Sequence, residues 1–473
     1  MKLFPVGIGD IHFIGIGGIG MSGIAEILNN LGYSVRGSDV RRSAITSRLE
    51  KLGVNVFYGH ATENVIDASV VVVSSSIKKD NCELVEARNQ KIPVIKRAEM
   101  LGELMRLKKS IAVSGTHGKT TTTSLVAHLL DCAEISPTVI NGGVINSYGS
   151  NARLGCGEWV VAEADESDGS FNKLPPTIAI VTNIDADHME NFSDLEHLKT
   201  CFLHFVEKIP FYGVGILCID NDNVRDIASK IVDKRILTYG FNKSASIRAE
   251  NVDLKADRVV FDVVFSEYCL EKYKIKNPSE WKGFSLSMVG IHNVQNALSA
   301  IAIALELEIS ASTTKTAFSS FSGIKRRFTK IGELRGAQII DDYAHHPTEI
   351  AATLNAARTV SKGNLYVVVQ PHRYSRLKKL FDEFVTSLSN ADYLYVLPVY
   401  SAGEEFSGID HKDLVDKIAN NGHKNIQHIS CLDELIHHFK TVTNNDIILF
   451  LGAGDISQMA RDFVAVNLLN DAL

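Results

Sequence analysis

The chain has 473 residues, which predicts about three domains at roughly 150 residues per domain. Hydrophobic residues make up 45% of the sequence and charged residues 22%, so several cores can form and global disorder is excluded. The 49 Lys and Arg against 55 Asp and Glu give a net charge of -6, and the lack of a basic block disfavours nonspecific nucleic-acid binding.

The distribution of apolar residues and cysteines predicts a soluble, cytoplasmic protein. No apolar stretch of the sequence reaches the ~18 residues that a membrane helix needs, and the first residues do not have the pattern of a signal peptide. The 7 cysteines are scattered and form no C-x-x-C. This argues for a reducing compartment, and against a disulfide framework or a thiolate zinc site.

Short apolar runs recur along the chain; each ends at a polar turn and is followed by a helical pattern. Runs rich in β-branched residues are typical of strands buried on both faces of a parallel sheet. The predicted strands are Ile11–Ile16, Val70–Val73, Ile111–Val113, Trp159–Ala162, Ile178–Val181, Leu365–Val369, Leu394–Leu397 and Ile447–Leu451. Ligands of such sheets bind beyond the carboxyl ends of the strands, so motifs at these ends are functional candidates.

Two domain boundaries are predicted, which divide the chain into residues 1–107, 108–322 and 323–473. The second boundary follows two helical patterns, Asn296–Leu307 and Thr313–Phe321. Residues 245–290 alternate polar and apolar side chains, which predicts an antiparallel extension of the middle sheet. The expected fold class is α/β with three domains.

The segment Gly15-Ile-Gly-Gly-Ile-Gly20 follows the first predicted strand. A G-x-G-x-x-G turn with an acidic residue about 20 positions further on, here Asp39, is the dinucleotide-binding pattern. Alone it favours an NAD-dependent oxidoreductase. However, the motif indicates only that the main chain approaches a diphosphate, and UDP satisfies the same requirement.

The strongest motif is Ser114-Gly-Thr-His-Gly-Lys-Thr-Thr-Thr-Thr123, between the strand Ile111–Val113 and a predicted helix over Ser124–Leu130. A Gly-rich turn that opens a helix directs main-chain N–H groups at a phosphate. Lys119 can reach the β- and γ-phosphates, and the Thr120 hydroxyl can ligate Mg²⁺. A purely structural turn would not account for a lysine followed by four threonines, so we predict a nucleoside triphosphate site.

Two further predicted strands end in carboxylates or histidine. The segment Trp159–Asp168 runs from a strand into several acidic residues, of which Glu163 is the predicted Mg²⁺ ligand. The segment Thr182–His188 follows a third strand. His188 is a second candidate ligand, but a structural role is an equal alternative, because Mg²⁺ prefers oxygen.

Two asparagines mark a candidate adenine site. Asn293 and Asn296 share one face of a predicted helix, where two amides could read the edge of an adenine. Helix capping by asparagine is the equal alternative.

Three charged clusters follow predicted strands or the second boundary in the last third of the chain. They are Lys325-Arg-Arg327, Asp341-Asp-Tyr-Ala-His-His-Pro347 and Gln370-Pro-His-Arg-Tyr-Ser-Arg376. The first is compatible with a solvated face. In the last, Arg373 and Arg376 can hold carboxylate or phosphate oxygens bidentately.

Taken together, these motifs resemble the Mur ligase family along the whole chain. The matching segments are Gly15–Gly20 with Ser38-Asp39, Ser74-Ser-Ser76, Gly115–Thr120, Asn141-Gly-Gly143, Glu163–Asp168, Asp187-His-Met189, His292-Asn-x-x-Asn296, Arg326-Arg-Phe328, Asp341–Tyr343 with His345–Pro347, and Gln370–Arg376. The match departs at Gly169, Ala344 and Ser401, where the family more often has Ala, Gly and Ala. None of these departures removes a functional group.

The resemblance implies three domains. The first is Rossmann-like and binds a UDP-sugar, the second is a P-loop ATPase-type sheet that binds ATP and Mg²⁺, and the third is Rossmann-like, binds the amino acid and closes on ATP. The implied reaction joins L-alanine to the lactyl carboxylate of UDP-N-acetylmuramate through an acyl phosphate, in peptidoglycan precursor synthesis. No nucleic-acid or membrane partner is implied.

The resemblance also implies a role for individual residues. The implied catalytic residues are Lys119, Glu163, His188, His345, Arg373 and Arg376. The implied ATP-binding residues are Gly115, Thr116, His117, Gly118, Lys119, Thr120, Thr121, Asn293, Asn296, Arg327 and Asp342. The implied UDP-sugar-binding residues are Gly15, Gly17, Gly18, Ile19, Gly20, Ser38, Asp39, Ser74, Ser75, Asn141, Gly142 and Gly143, with Asn141–Gly143 expected to be a turn. The implied metal ligands are Thr120, Glu163 and His188.

Three rival interpretations differ in what they leave unexplained. A relative that adds a recycled tripeptide to the same UDP-sugar lacks the Gln370–Arg376 segment and has Tyr in place of Ser167. An NAD-dependent oxidoreductase leaves the Lys119 loop unexplained. A catalytically silent nucleotide-binding protein would be free to lose Lys119, Glu163 and His188.

Overall fold

The computed structural model describes residues 8–470 except 168, 188, 190, 432–433, 436–437 and 440. Within these residues the chain forms three sheets, which confirms the predicted three-domain α/β class. The chain also divides into two compact units. The first contains residues up to Asn251 together with Phe261–Ser285 and Gln295–Ser322, and the second contains Val252–Val260, Leu286–Val294 and Gly323 onward.

The first sheet is a parallel Rossmann-type sheet. Its strands are β1 (Asp10–Ile14), β2 (Val35–Asp39), β3 (Asn55–Tyr58), β4 (Ala68–Val73) and β5 (Val94–Lys96), with helices α1 (Ile19–Asn30), α2 (Ala44–Lys51), α3 (Cys82–Asn89) and α4 (Arg97–Arg106). The strand order is β3-β2-β1-β4-β5, and every neighbouring pair is parallel. In this order the chain reverses direction across the sheet between β1 and β4, where such folds bind ligands.

The second sheet has ten strands and is mixed. Its strands are β6 (Lys109–Ser114), β7 (Thr138–Ile145), β8 (Ser150–Arg153), β9 (Trp159–Glu163), β10 (Ile178–Val181), β11 (Val214–Cys218), β12 (Ile236–Gly240), β13 (Ile247–Leu254), β14 (Val259–Phe265) and β15 (Phe284–Leu286). Its helices are α5 (Lys119–Cys132), α6 (Leu195–Glu207), α7 (Asp222–Lys230), α8 (Glu267–Lys272), α9 (Ile291–Glu306) and α10 (Ala311–Ser320). The strands β11, β10, β6, β9 and β7 are parallel neighbours, so their carboxyl ends share one edge.

The third sheet belongs to the second unit. Its strands are β16 (Thr329–Leu334), β17 (Ala337–Asp342), β18 (Leu365–Val369), β19 (Tyr393–Val396), β20 (Ile426–His428) and β21 (Ile447–Leu451). Its helices are α11 (Pro347–Val360), α12 (Tyr374–Lys379), α13 (Phe381–Leu388), α14 (His411–Asn420) and α15 (Ile456–Asn470). The order is β16-β17-β21-β18-β19-β20, with β16 antiparallel to β17 and the other pairs parallel.

Three local predictions are wrong. The helix predicted over Asn296–Leu307 begins five residues earlier, at Ile291. The helix predicted over Ser124–Leu130 begins five residues earlier, at Lys119, because the hydroxyls of Thr120–Thr123 are buried and tertiary packing overrides the low helix propensity of threonine. Asn141–Gly143 lies inside β7 and is not a turn. Among the described helices, none combines the length and apolarity needed to cross a membrane.

Candidate active site

The phosphate loop joins β6 to α5, and its two glycines are both required by their surroundings. Gly115 has φ +134°, and a Cβ there would lie 2.0 Å from the Thr182 hydroxyl. Gly118 has φ +82°, and a Cβ there would lie 2.8 Å from Asn296 Oδ1. The predicted residues Thr116, His117 and Thr121 lie in this loop or in the first turn of α5. The loop therefore keeps the shape that aims the helix N-terminus at an anion.

Lys119 is partly buried and folds back over the loop. Its Nζ donates to the carbonyls of Gly115 at 2.7 Å and Thr116 at 3.0 Å, and it lies 2.9 Å from Glu166 Oε2. Burial opposes the charge on Lys119, but the nearby carboxylates, first Glu166 and then Asp165, hold its pKa above the usual value. Burial raises the pKa of Glu166 to about 7. Glu166 had no predicted role of its own, although it lies in the predicted acidic segment Trp159–Asp168.

Glu163 and Thr120 form an oxygen pair beside the loop. The Thr120 hydroxyl donates to Glu163 Oε2 at 2.9 Å, and the Gly142 N–H donates to the same oxygen at 2.8 Å. No three His, Cys, Asp or Glu side chains in the described part of the chain meet in a metal-binding arrangement. Mg²⁺ commonly takes one or two protein carboxylates and keeps water and phosphate oxygens, so this pair fits the ion. The third predicted ligand, His188, lies outside the described residues.

The strand β7 carries Asn141, Gly142 and Gly143 past this oxygen pair. Asn141 Nδ2 donates to Ser124 Oγ at 2.8 Å, so its side chain fixes the position of α5. A Cβ on Gly142 would lie 2.5 Å from Glu163 Oε1. The glycine at this position therefore reflects the close approach of Glu163.

The two asparagines predicted to read adenine differ in their contacts. The Thr122 hydroxyl donates to Asn296 Oδ1 at 3.2 Å, so Asn296 lies against the phosphate loop helix. Asn293 Nδ2 donates to the carbonyl of Val289 at 2.8 Å, close to the start of α9. Both asparagines lie in the first two turns of α9, so they share a helix as predicted. That they bind the adenine of ATP stays a prediction.

The glycine-rich turn after β1 is held by the last two residues of β2. Gly15 has φ +80°, and its N–H donates to the carbonyl of Ser38 at 2.8 Å. Asp39 Oδ2 accepts the N–H of Gly17 at 2.8 Å, so this carboxylate is engaged by the turn itself. Gly18, Ile19 and Gly20 then begin α1. Asp39 is thus placed to shape the turn.

The side chain of Ser38 is fully buried, and its predicted role in UDP-sugar binding stays a prediction. It donates to Glu83 Oε2 at 2.6 Å, and His60 Nδ1 lies 3.1 Å from the same hydroxyl. His12 Nε2 and Asn64 Nδ2 also contact the Glu83 carboxylate. Burial acts to raise the pKa of Glu83, but hydrogen bonds, first from His12 and Ser38, lower it to about 2. The network holds the turn, because Ser38 also binds Gly15.

Replacing Glu83 with glutamine is expected to destabilise the fold at neutral pH. Its pKa is lowered from 4.5 in the unfolded chain to about 2, so its contribution is complete above about pH 4.5 and is lost as the pH falls towards 2. The difference in melting temperature between wild type and Glu83→Gln should therefore narrow below about pH 4.5. Thermal unfolding by circular dichroism from neutral pH to about pH 2.5 tests this, with Glu86→Gln on α3 as the control. A difference that does not change with pH would contradict it.

A cavity of about 300 Å³ joins the glycine-rich turn to the oxygen pair. It is lined by Gly18, Ile19, Gly20, Met21, Ser74, Ser75, Arg97, Ile140, Asn141, Gly142, Glu163 and Asp165. Arg97 Nη2 lies 3.3 Å from Asp165 Oδ2, and a Cβ on Gly20 would lie 3.0 Å from Arg97 Cδ. The last glycine of the turn therefore leaves room for Arg97. Arg97 directly follows β5. Its position at the end of a strand could have marked it as a functional candidate in the sequence.

In the third sheet, Asp342 is buried at the end of β17. Its carboxylate accepts the N–H groups of Phe328 at 2.7 Å and Ala344 at 2.8 Å, and burial raises its pKa. The guanidinium of Arg327 lies 5.3 Å from the centre of the Tyr343 ring. Asp342 thus fixes the segment that carries Arg327, while a direct contact of either residue with ATP stays a prediction.

His345 and His372 lie together beyond the ends of β17 and β18. Their rings are edge to face with centroids 5.8 Å apart, and His345 Nδ1 lies 3.3 Å from Glu349 Oε2. Burial lowers the pKa of His345 to about 3 and that of His372 to about 4, and the positive charge of Arg376 adds to both shifts. Both imidazoles are therefore neutral at physiological pH. The sequence did not single out His372.

Arg373 has an unusual backbone conformation at the start of α12. Its φ is +70°, and its N–H donates to the carbonyl of Tyr400 at 2.8 Å. Its Nε lies 3.9 Å from Glu404 Oε1, which itself accepts the Ser375 hydroxyl at 2.7 Å. Such conformations cost about 1–3 kcal/mol and cluster at functional sites.

A phosphate loop beside a Thr–Glu oxygen pair, on a sheet that adjoins a Rossmann-type sheet, defines a nucleotide-binding α/β enzyme. Three family models match consecutive parts of the chain: "Mur ligase family, catalytic domain" over residues 10–109, "Mur ligase middle domain" over 113–304, and "Mur ligase, glutamate ligase domain" over 326–454. The chain belongs to the Mur ligase family, as its motifs predicted.

Individual relatives are similar over nearly the whole length. The UDP-N-acetylmuramate–L-alanine ligase of Roseobacter denitrificans is 51% identical over 463 residues, which cover 98% of this chain and 97% of the relative. The crystal structure of the UDP-N-acetylmuramate-alanine ligase MurC from Thermotoga maritima has a TM-score of 0.81 at 30% identity, and the match covers 98% and 99% of the two chains. A murein peptide ligase from Psychrobacter arcticus has a TM-score of 0.71 at 27% identity, with the same coverage.

Proposed function

We propose that this chain is an ATP-dependent ligase that joins L-alanine to the lactyl carboxylate of UDP-N-acetylmuramate, in peptidoglycan precursor synthesis. The 51% identity to an enzyme of that name supports the choice of substrates. The cavity is the observation that carries the chemistry, because it connects the glycine-rich turn and Ser74 to Glu163. A UDP-sugar held at the turn would place its carboxylate beside the triphosphate. The division at residues 107 and 322, with a third domain that brings the amino acid to ATP, is part of this proposal.

The first step is attack of the lactyl carboxylate on the γ-phosphate, which gives an acyl phosphate and ADP. Both reactants are anions, so the step needs fixed positive charge. Lys119 and the N–H groups at the start of α5 supply it. Thr120 and Glu163, with His188 as the proposed third ligand, would hold Mg²⁺, which neutralises phosphate charge when bound.

The second step is attack of the alanine amine on the acyl carbon, and inorganic phosphate leaves. We assign the alanine carboxylate to Arg373 and Arg376, because guanidinium groups bind carboxylates bidentately. The alanine ammonium must lose a proton before attack, and His188 and His345 are the two candidates for the base that takes it. With a pKa of about 3, His345 accepts a hydrogen bond at neutral pH but binds a proton weakly, so we assign it to orienting the amine.

A phosphate-release assay tests the proposal. The purified chain is mixed with ATP, Mg²⁺ and UDP-N-acetylmuramate, and is then given L-alanine, glycine, L-serine or the murein tripeptide. We expect fast phosphate release with L-alanine, and none when either the UDP-sugar or the amino acid is left out. Preference for the tripeptide would reassign the substrate, and equal release from ATP alone would indicate a simple ATPase.

Replacing Arg97 with alanine is expected to weaken binding of the UDP-sugar about 10-fold or more, since a charge-assisted hydrogen bond contributes about 1.5–3 kcal/mol. Arg97 lines the cavity beside Gly20 at the N-terminus of α1, so we assign it to the diphosphate. Isothermal titration with UDP-N-acetylmuramate and with UDP should therefore show a similar loss. Arg106→Ala, at the exposed end of α4, is the control. Loss with UDP-N-acetylmuramate but not with UDP would contradict the diphosphate assignment.

A further inference from the structure

The phosphate loop is held in place by a residue from a different strand. Asn183, two residues beyond β10, uses both ends of its amide on the main chain of one loop residue. Its Oδ1 accepts the N–H of His117 at 2.8 Å, and its Nδ2 donates to the carbonyl of His117 at 3.1 Å. Only an amide side chain supplies a donor and an acceptor in this arrangement.

The neighbours of Asn183 extend the same contact. The Thr182 hydroxyl donates to the carbonyl of His117 at 2.6 Å, and the N–H of Thr116 donates to the carbonyl of Asn183 at 3.0 Å. The N–H of Asp185 donates to the Thr116 hydroxyl at 2.9 Å. The segment 182–185 thus forms hydrogen bonds with the main chain of Thr116 and His117 and with the hydroxyl of Thr116.

These hydrogen bonds determine which N–H groups of the loop can face a phosphate. The N–H groups of Thr116 and His117 are both directed to Asn183. The first N–H groups of a helix have no partner within the helix, so the start of α5, from Lys119, supplies the donors for an anion. The orientation of those donors depends on the residues just before them, which Asn183 fixes.

The segment that carries Asn183 is itself anchored on the next strand. Asn223 Nδ2 donates to the carbonyl of Ile184 at 2.7 Å, and Asn221 Nδ2 donates to Asp185 Oδ1 at 3.3 Å. Both asparagines follow β11, which is the parallel neighbour of β10, and β10 is the neighbour of β6. Amide side chains therefore connect the ends of the three adjacent strands β11, β10 and β6. The side chain of Asn183 makes the contact with the phosphate loop.

We infer that Asn183 is a positioning residue for phosphoryl transfer, which orients the phosphate loop through the main chain of His117. This inference rests on the proposed function, in that the loop binds the triphosphate of ATP. It adds a residue that does not touch ATP but sets the geometry of the groups that do. Rate in such steps depends strongly on the placement of donors.

The test compares three variants. Asn183→Ala removes both hydrogen bonds to His117, Asn183→Asp keeps the acceptor but cannot donate when ionised, and Thr182→Ser keeps the neighbouring hydroxyl. We expect kcat/KM for ATP to fall about 10- to 100-fold in Asn183→Ala and by a similar or larger factor in Asn183→Asp, with little change in Thr182→Ser. The KM for UDP-N-acetylmuramate should stay near the wild-type value. Asn277→Ala, at an exposed asparagine, is the control.

Two results would overturn the inference. One is unchanged ATP kinetics in both Asn183 variants. The other is an equal loss of affinity for ATP and for the UDP-sugar, with a lowered melting temperature, which would show that Asn183 supports the fold in general. Isothermal titration with ATP alone measures ATP binding without ligation, so it distinguishes a failure of this inference from a failure of the proposed function. If wild type binds ATP but ligates no amino acid, the function fails, and weaker ATP binding by Asn183→Ala still supports the inference.

Discussion

Replacing Lys119 with alanine is expected to abolish turnover, with a fall in kcat of at least about 10³-fold, while binding of UDP-N-acetylmuramate stays close to wild type. Lys119 is the partly buried cation of the phosphate loop and lies 2.9 Å from Glu166. It does not line the cavity assigned to the UDP-sugar. The charge that offsets repulsion between carboxylate and phosphate would therefore be lost without a change in the sugar site. Phosphate release and isothermal titration with the UDP-sugar measure the two effects.

The Lys119 experiment needs a control for Glu166, the carboxyl that contacts Lys119 in the wild type. Without Lys119, the buried carboxyl of Glu166 loses the cation that favours its ionised form, so its pKa rises further above that of the unfolded chain. Folding at neutral pH must then take up a proton at Glu166, which destabilises the fold. The double variant Lys119→Met with Glu166→Gln removes both charges and should be equally inactive but more stable than Lys119→Met. Lys109→Ala, at the exposed start of β6, should behave as wild type. Loss of UDP-sugar binding in the double variant would mean that the two sites are not separate.

The fold was largely predictable because its strands are continuous apolar runs. The runs Ile178–Val181, Leu365–Val369 and Ile447–Leu451 are strands with the predicted bounds. A strand buried on both faces needs apolar residues at every position, and this leaves a clear pattern in sequence. The same pattern located the functional motifs, since turns that follow such strands lie at one edge of the sheet.

The contacts behind the site could not be predicted, because they depend on which strands are neighbours. Val113 of β6 is paired with Glu163 of β9, and Ser114 with Val181 of β10, although many residues separate these strands in the chain. Only this pairing brings Asn183 to His117. A hydrogen bond between a side chain and a main chain leaves no spacing rule between its two residues.

Two residues predicted to bind the UDP-sugar also make contacts within the protein that the sequence does not indicate. Ser38 and Asp39 are the last two residues of β2. The buried Glu83 accepts the hydroxyl of Ser38, and the carboxylate of Asp39 accepts an N–H of the glycine-rich turn. These contacts give both residues a structural role, and their direct role in UDP-sugar binding stays a prediction. Sequence position alone does not contain that information, since both roles occur at a strand end.

Replacing Glu163 with glutamine is expected to lower kcat about 10²- to 10³-fold and to raise the Mg²⁺ concentration needed for half-maximal rate. Glutamine keeps the size of the side chain and an oxygen that can accept from the Thr120 hydroxyl or the Gly142 N–H, but it loses the negative charge. The rate measured over a range of Mg²⁺ concentrations tests this directly. Glu158→Gln, at a side chain that is 80% exposed just before β9, is the matched control. An unchanged Mg²⁺ dependence in Glu163→Gln would exclude Glu163 as a ligand, and a fall in kcat alone would then be assigned to its hydrogen bonds with Thr120 and Gly142.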